Sequence, residues 1–436
     1  MLSVEDNELY TKVGPGTPMG ELFRRFWLPA LTSDELPERD GDPVRLRLLC
    51  EDLIAFRDTD GRVGIVGERC PHRQAPMFFG RNEECGLRCA YHGWKFDVDG
   101  NCVDMPNEPP ARQFKQRIKA LAYPTHEQGS VVWIYMGPPE HQPEKIPQFE
   151  WATAPEGHTF VGKWLQRTNW AQGMEGEIDT SHISFMHSSK ETYNPRQFVA
   201  ISSELLKAAA LDGAPRLTML ETPYGFTYGS RRAAGDEYYW RVTRWLFSMY
   251  SLIAQTSNGG AGRAWVPIDD EHCMTFHFQC RDDRPFNEDE IAQFWEGGGF
   301  PPRVERGAYT LPDGHIIDAW VPKANHENDY LIDREMQRNV NFTGIWGVNE
   351  QDRAIQEGMG AVVDRTKEHL GTADVATLSA RRLLINMARK LQDGEGPAIP
   401  HDFDAYKMRP LEVFTELEDF KSVLDKYNDT LGTATM

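Results

Sequence analysis

The chain reads as an α+β protein in two units, a small all-β domain followed by a larger domain of antiparallel sheet and helices. Three observations predict this. From about Pro43 to the proline-rich stretch "MGPPEHQPEKIPQF", short β-type runs alternate with turn signals, the pattern of a small sandwich or barrel. Beyond it, a long β-type block is flanked by helical patterns, which marks α+β organisation. A length of 436 residues also exceeds one typical domain.

Residues 1–40 are expected to form an N-terminal helical segment. "MGELFRRFW" carries a short helical pattern and "LPALTSDELPERDGD" reads as a polar connection. Residues 41–150 are the β domain. "DTDG" is a hairpin signal, "DVDGN" and "EQGS" repeat the punctuation, and "VVWIYM" is a buried-strand signature. Residues 151–436 form the larger unit, with helix at 169–190, β-type pattern at 216–254, long helical pattern at 350–393 and a polar, helical-looking tail after 410. There is no internal repeat and no low-complexity segment.

Composition is that of a soluble globular protein, 40% hydrophobic and 26% charged, with 11% aromatics to build a sizeable core. The net charge of −19 argues against nucleic acid or an anionic membrane as partner, yet leaves room for a local basic pocket. No apolar run reaches the length of a membrane span, and the first residues lack a signal-peptide core, so a cytoplasmic location is expected. The seven cysteines are an odd number in a long chain, which disfavours a disulfide framework. Clustered ones point to metal or redox chemistry.

Such a cluster lies in "CPHRQAPMFFGRNEECGLRCAYHGW". Cys70 and His72 are separated by one residue, and Cys89 and His92 by two. Two Cys-His pairs on two loops can bring two thiolates and two imidazoles to one site. Tetrahedral zinc is one occupant. A Rieske-type 2Fe–2S cluster, with two cysteines on one iron and two histidines on the other, is the second. Spacing favours the cluster, because zinc sites commonly pair cysteine with cysteine and histidine with histidine. Cys85 has no partner in the pattern and reads as a core or loop thiol.

The run "NWAQGMEGEIDTSHISFMHSS" poses a second problem. His182 and His187 are five residues apart, so on a regular helix their rings diverge by roughly 140°. They converge only if the helix ends or bulges there. Two histidines plus a carboxylate with open coordination positions is the arrangement of non-haem Fe(II) oxygenases.

With both motifs in view, the chain resembles the α (oxygenase) subunit of the Rieske non-haem iron aromatic ring-hydroxylating oxygenases. It is most similar to the phthalate-dioxygenase-like branch, and the likeness covers essentially the whole chain. The resemblance implies a Rieske 2Fe–2S cluster on Cys70, His72, Cys89 and His92, and a mononuclear Fe(II) on His182, His187 and a carboxylate from a late helix. Asp352 in "NEQDRAIQEGMG" matches best, against Glu350, Glu357 and Asp364 as helix-face charges. It further implies a homotrimer or a hexamer of stacked trimers. In that assembly Asp179 is no ligand but bridges a neighbouring subunit's Rieske histidine to His182 for electron transfer. Asn169 and Glu175 match upstream family positions, as outer-shell or structural residues.

The implied activity is that of a terminal oxygenase component. A flavin/iron-sulfur reductase, with or without a ferredoxin, passes NAD(P)H electrons to it, and O2 is the co-substrate. Hydroxylation of an aromatic carboxylate by phthalate-like ring dioxygenation is expected. The alternatives are an O-demethylase or monooxygenase of methoxylated or diaryl-ether aromatic acids and, outside enzymes, a Rieske electron carrier or a zinc-stabilised binding protein. One substrate clue is local. Read as a strand, "EYYWRVTRWLF" puts Tyr238, Trp240, Val242, Arg244 and Leu246 on one face, apolar except for Arg244. Arg244 is then either half of an internal ion pair or the grip on a substrate carboxylate. Arg216 is a second substrate candidate, while Arg231 and Arg232 read as exposed turn residues.

Overall fold

The computed structural model describes residues 1–190, 202–254, 260–396 and 403–427. Two short helices open the chain, Val4–Thr11 and Pro18–Phe23. Each starts on a hydroxyl cap, Ser3 Oγ accepting from Asp6 N at 3.0 Å and Thr17 Oγ1 from Gly20 N at 3.2 Å. Their apolar side chains pack on the larger unit that follows residue 150. Tyr10 and Phe23 set ring edges on Trp170 at 5.1 and 4.8 Å. The expected polar connection begins later than its letters suggest. Trp27–Thr32 is a fully buried strand paired antiparallel with Val131–Tyr135.

The β region is built from hairpins. Val44–Leu48, Glu51–Arg57, Val63–Gly67 and Ala122–Tyr123 form one antiparallel sheet. Arg81–Asn82, Leu87–Arg88, Lys95–Phe96 and Cys102–Asp104 form a second. The turn signals fall between strands. In "DTDG", Asp58 Oδ1 accepts from the amides of Asp60 and Arg62 at 3.0 and 2.9 Å. A small core of Ile54, Phe56, Val66, Met77, Leu87, Trp94 and Phe96 surrounds the buried Cys70 and Cys89.

Among the described residues, the larger unit centres on an eight-stranded antiparallel sheet. Its order is Thr159–Gln166, Cys273–Cys280, Ala261–Pro267, Tyr250–Leu252, Glu237–Leu246, Gly225–Ala234 and Arg216–Thr222, with Leu411–Thr415 also pairing on Glu237–Leu246. The tail after 410 is therefore strand first and helix second, Phe420–Lys426, while 428–436 lie outside the described residues. One of the strand's polar residues, Glu412, is paired inside the fold, its carboxylate accepting from Ser202 Oγ and Tyr239 OH, each at 2.7 Å. The long helical pattern at 350–393 is two helices, Val348–Gly358 and Val375–Gln392, parted near Gly360, whose φ of +96° ends the first.

Helix Trp170–Ile178 lies against this sheet, and two residues tie it down. Asn169 caps it, accepting from Ala171 N at 3.1 Å and donating to the carbonyls of Thr11 (2.9 Å) and Asp270 (2.7 Å). Glu175 is buried between two guanidiniums, at 3.0 Å from Arg365 and 2.7 Å from Arg381. Burial opposes its ionisation, but the two arginines outweigh that and hold it below the usual carboxylate range. Arg381 also reaches Glu368 at 2.6 Å, so the clamp joins helix Trp170–Ile178 to helix Val375–Gln392.

Glu175→Ala removes the acid that, among the described residues, pairs with Arg365 and leaves that cation buried. A loss of about 3–5 kcal/mol is expected, read as a lower denaturation midpoint by chemical unfolding. An unchanged midpoint would mean the clamp carries no stability.

Candidate metal centres and the adjoining cavity

The two Cys-His loops are built alike. In the first, Cys70 N donates to Ala75 O and Gln74 N to Cys70 O, both at 2.9 Å. In the second, Cys89 N donates to Trp94 O at 2.8 Å and Gly93 N to Cys89 O at 2.9 Å. Gly93 turns the chain at φ +77°, where a Cβ would meet the Pro106 ring at 2.7 Å. The loops bring the His72 and His92 rings to 4.5 Å. Trp94 stacks on His72 at 4.3 Å, held by its indole N–H to Asn107 Oδ1 at 2.7 Å. Both cysteines are buried while both imidazoles are half-exposed. His92 Nδ1 is buried without a hydrogen-bond partner among the described residues. Two neighbouring imidazoles, one with an orphan ring nitrogen, beside two sealed thiols make up the four-donor set a Rieske-type 2Fe–2S cluster needs. Cys85 belongs to a different turn, its Sγ 3.4 Å from Asp60 Oδ2.

The second centre depends on where a helix stops. Trp170–Ile178 ends at Asp179, whose amide still donates to Glu175 O but whose backbone is extended (φ −86°, ψ 114°). Asp179 Oδ1 then accepts from Ser181 N and Ser181 Oγ, both at 2.7 Å, which redirects the chain. His182 starts the short helix Ile183–Met186 and His187 ends it. The break brings the two rings to 5.1 Å at 74°.

Asp352, on helix Val348–Gly358, meets them. Its Oδ1 is 3.2 Å from His187 Nε2 and 3.7 Å from His182 Nε2. One donor atom from each of the three lies within 4.8 Å of the others. Asp352 Oδ1 is buried and has no hydrogen-bond donor among the described residues, so the trio fits a divalent ion. The competing carboxylates are elsewhere. Glu357 accepts from Arg353 and Tyr330, and Asp364 caps Thr366. Glu350 stands apart from the trio, its carboxyl pushed up to about 7 by burial. Asp179 Oδ2 faces His182 Nδ1 at 3.4 Å. Burial would raise Asp179 as well, but His182 and Ser181 outweigh it and lower the carboxyl to about 2.

A cavity opens beside the trio, walled by Trp164, Ile183, Leu205, Ile253, Trp265 and Phe300, with Arg241 and Arg263 as its cations toward the sheet. Arg263 pairs with Glu177, and its guanidinium lies 3.4 Å above the Phe300 ring. Its Nε and Nη2 are buried without acceptors among the described residues, as is Arg241 Nε. His277 stacks on Phe300 at 5.8 Å, and burial, reinforced by Arg263, holds its pKa well below the usual value.

The substrate arginines expected from sequence are not on this wall. Arg244 points to the other side of its strand, donating to Thr227 Oγ1 at 2.6 Å and, at 3.4 Å, to Arg409 O. Its neighbours Trp240 and Val242 pack on Phe420 and Val423. It is neither ion-paired among the described residues nor in the cavity, and burial lowers it to about 10. Arg216 is exposed on an outer strand. Arg232 is no turn residue. It is fully buried, donates to Thr180 O at 2.8 Å beside the His182 turn, and is lowered to about 10 by burial and then by Arg241. Arg231 stacks on Tyr238 and pairs with Glu418 at 2.8 Å.

Residues 26–115 match the Rieske [2Fe-2S] domain family, and residues 134–429 match the family described as "LigXa C-terminal domain like". The chain belongs to the Rieske oxygenases. It is 39% identical over 403 residues to the phthalate 4,5-dioxygenase oxygenase subunit of Pseudomonas putida, covering 91% of this chain and 88% of that one. The 3-chlorobenzoate-3,4-dioxygenase oxygenase subunit of Comamonas testosteroni is 38% identical over 406 residues, 89% of each chain. The crystal structure of dicamba monooxygenase bound to dicamba shares the fold, with a TM-score of 0.58 and 18% identity over 85% of this chain and 99% of that one. The chain is thus a Rieske oxygenase α subunit of the phthalate-dioxygenase-like branch, an enzyme whose family uses a 2Fe–2S cluster, a mononuclear iron and O2. Its relatives are oxygenase subunits of multicomponent systems. Among the described residues no helix is long and apolar enough to cross a membrane.

Asp352→Ala should purify with its cluster colour and about two irons per chain, where the parent holds about three. Iron analysis with visible absorption reads both. A variant that keeps the third iron would remove Asp352 from the ligand set.

Proposed function

We propose that this oxygenase subunit hydroxylates an aromatic carboxylate, by ring dioxygenation of a phthalate-like acid. The reading is carried by one observation: Arg241 and Arg263 share a cavity wall with His182, His187 and Asp352, and both hold buried N–H groups without acceptors among the described residues. A guanidinium with unmet donors in an apolar wall favours a ligand that supplies a carboxylate. Two relatives, 38% and 39% identical, act, by their names, on 3-chlorobenzoate and phthalate, both aromatic acids.

In this reading Cys70, His72, Cys89 and His92 hold the cluster and His182, His187 and Asp352 the ferrous ion, which together supply electrons and activate O2 when bound. The protein's own part is positioning. Phe300 and Glu177 fix the Arg263 guanidinium while its Nε and Nη2 keep unmet donors for a carboxylate. Trp164, Trp265, Ile183 and Leu205 exclude water around the ring carbons. Asp179 holds the Nδ1 side of His182 and leaves Nε2 toward Asp352. We extend the proposal to a homotrimer or stacked trimers in the cytoplasm, with Asp179 as the link between subunits and a flavin/iron-sulfur reductase as donor. Residues 41–150 would be the electron-receiving unit and 151–436 the catalytic one.

A screen of phthalates, methoxybenzoates and phenoxybenzoates, scored by substrate-dependent NADH consumption and product mass, tests the class. Cis-dihydrodiol masses from a phthalate support dioxygenation; loss of a methyl from a methoxybenzoate would favour O-demethylation. Arg263→Met should weaken binding of the carboxylated substrate by about 2–5 kcal/mol, read as a raised KM, while an uncharged analogue is little affected. Equal effects on both would return Arg263 to a structural role.

A further inference from the structure

We propose that Gln351 is a positioning residue for the mononuclear iron. It fixes His187 as the Nδ1–H tautomer, so that the Nε2 lone pair faces the metal. This rests on the reading of His182, His187 and Asp352 as ligands.

His187 Nδ1 lies 2.6 Å from Gln351 Oε1, with both side chains buried. Which amide atom faces the ring is decided on the far side of Gln351, where its Nε2 lies 2.9 Å from the carbonyl of Ile345. A carbonyl only accepts, so the Gln351 NH2 must point there and its oxygen must point at His187. An oxygen acceptor in turn requires a proton on Nδ1. Nε2 is then the unprotonated nitrogen, and it is the one 3.2 Å from Asp352.

The anchoring carbonyl is itself held. Asn341 Nδ2 donates to Ile345 O at 2.9 Å, while Asn341 Oδ1 accepts from Gly344 N at 2.6 Å. Gly344 turns at φ +73°, where a Cβ would lie 2.4 Å from Asp333 O, so the loop has little room to move. The order of command runs from the loop 341–345 through one amide to one imidazole.

The two histidines are thus oriented by different chemistry. His182 faces the carboxylate of Asp179, and His187 faces a neutral amide. A buried carboxylate at 351 would add negative charge where Asp352 already stands. The amide supplies the acceptor without it. Outer partners of this kind typically account for 10–100-fold in metal affinity.

The test is the dissociation constant for Fe(II), measured anaerobically by chelator competition on protein with its cluster intact and oxidised. The high-spin Co(II) EPR spectrum of the cobalt-loaded site is the spectroscopic readout. Gln351→Met keeps the length but accepts nothing from Nδ1, and it should weaken Fe(II) binding about 10–100-fold and broaden the cobalt signal. Gln351→Glu still accepts from Nδ1 but sets an oxygen against the Ile345 carbonyl, so it should keep part of the affinity that Gln351→Met loses. Wild-type affinity in Gln351→Met, or equal losses in Met and Glu, would overturn the role of the hydrogen bond. If Gln351→Met lowers the melting temperature, Asn341→Ala replaces it, and unchanged Fe(II) binding there would overturn the relay. A parent protein that binds no Fe(II) at this site would instead sink the ligand assignment.

Discussion

A buried carboxylate oxygen with no hydrogen bond is the constraint on which the structure turns. Asp352 Oδ1 is closed off from water and accepts nothing from the described residues. Leaving an ionised carboxylate in such a place is costly unless a cation meets it. No lysine or arginine among the described residues forms an ion pair with it; two imidazole nitrogens approach it instead. A divalent metal resolves that imbalance, and the surrounding fold makes sense as the apparatus that creates it. Helix Trp170–Ile178 must end on time for His182 and His187 to converge, and the Glu175 clamp and the Asn169 cap hold that helix in place.

Charge around the cavity is organised against the trend of the whole molecule. The chain carries a net charge of −19, yet the wall beside the trio presents Arg241 and Arg263, with Arg232 buried close behind Thr180. Glu177 neutralises one guanidinium and leaves part of it free. Burial strengthens each of these interactions, since local dielectric screening falls where water is excluded. The cavity lining balances Arg241, Arg263 and Arg353 against Glu177, Asp179 and Asp352, so its unmet guanidinium donors rather than a net positive charge would recognise an anion, next to the atoms that would hold the metal.

What could be read from the letters divides along a physical line. Cys70, His72, Cys89 and His92 were legible because each pair sits on one tight loop, so spacing in sequence is spacing in space. The five-residue gap from His182 to His187 announced a helix break, because regular helix geometry forbids their convergence. Asp352 was reachable by resemblance to a late helix. The cavity arginines were not legible. Strand alternation separates Arg241 from Arg244, but only the sheet's packing decides which face meets the helix with the histidines and which meets Phe420. Arg263 arrives from a different strand altogether. The strand at Leu411–Thr415 escaped for the same reason, since its identity depends on a partner about 170 residues away. Gln351 looked like an ordinary helix residue, and its bond to a ring 164 positions earlier is invisible without the fold.

Mössbauer spectroscopy on protein loaded with isotopically enriched iron tests the central claim most directly, namely two distinct iron environments in one chain. The expected spectrum of the oxidised sample has about two-thirds of the iron as a ferric 2Fe–2S pair and about one-third as a separate high-spin ferrous ion. Iron confined to the cluster in a fully loaded sample would contradict it.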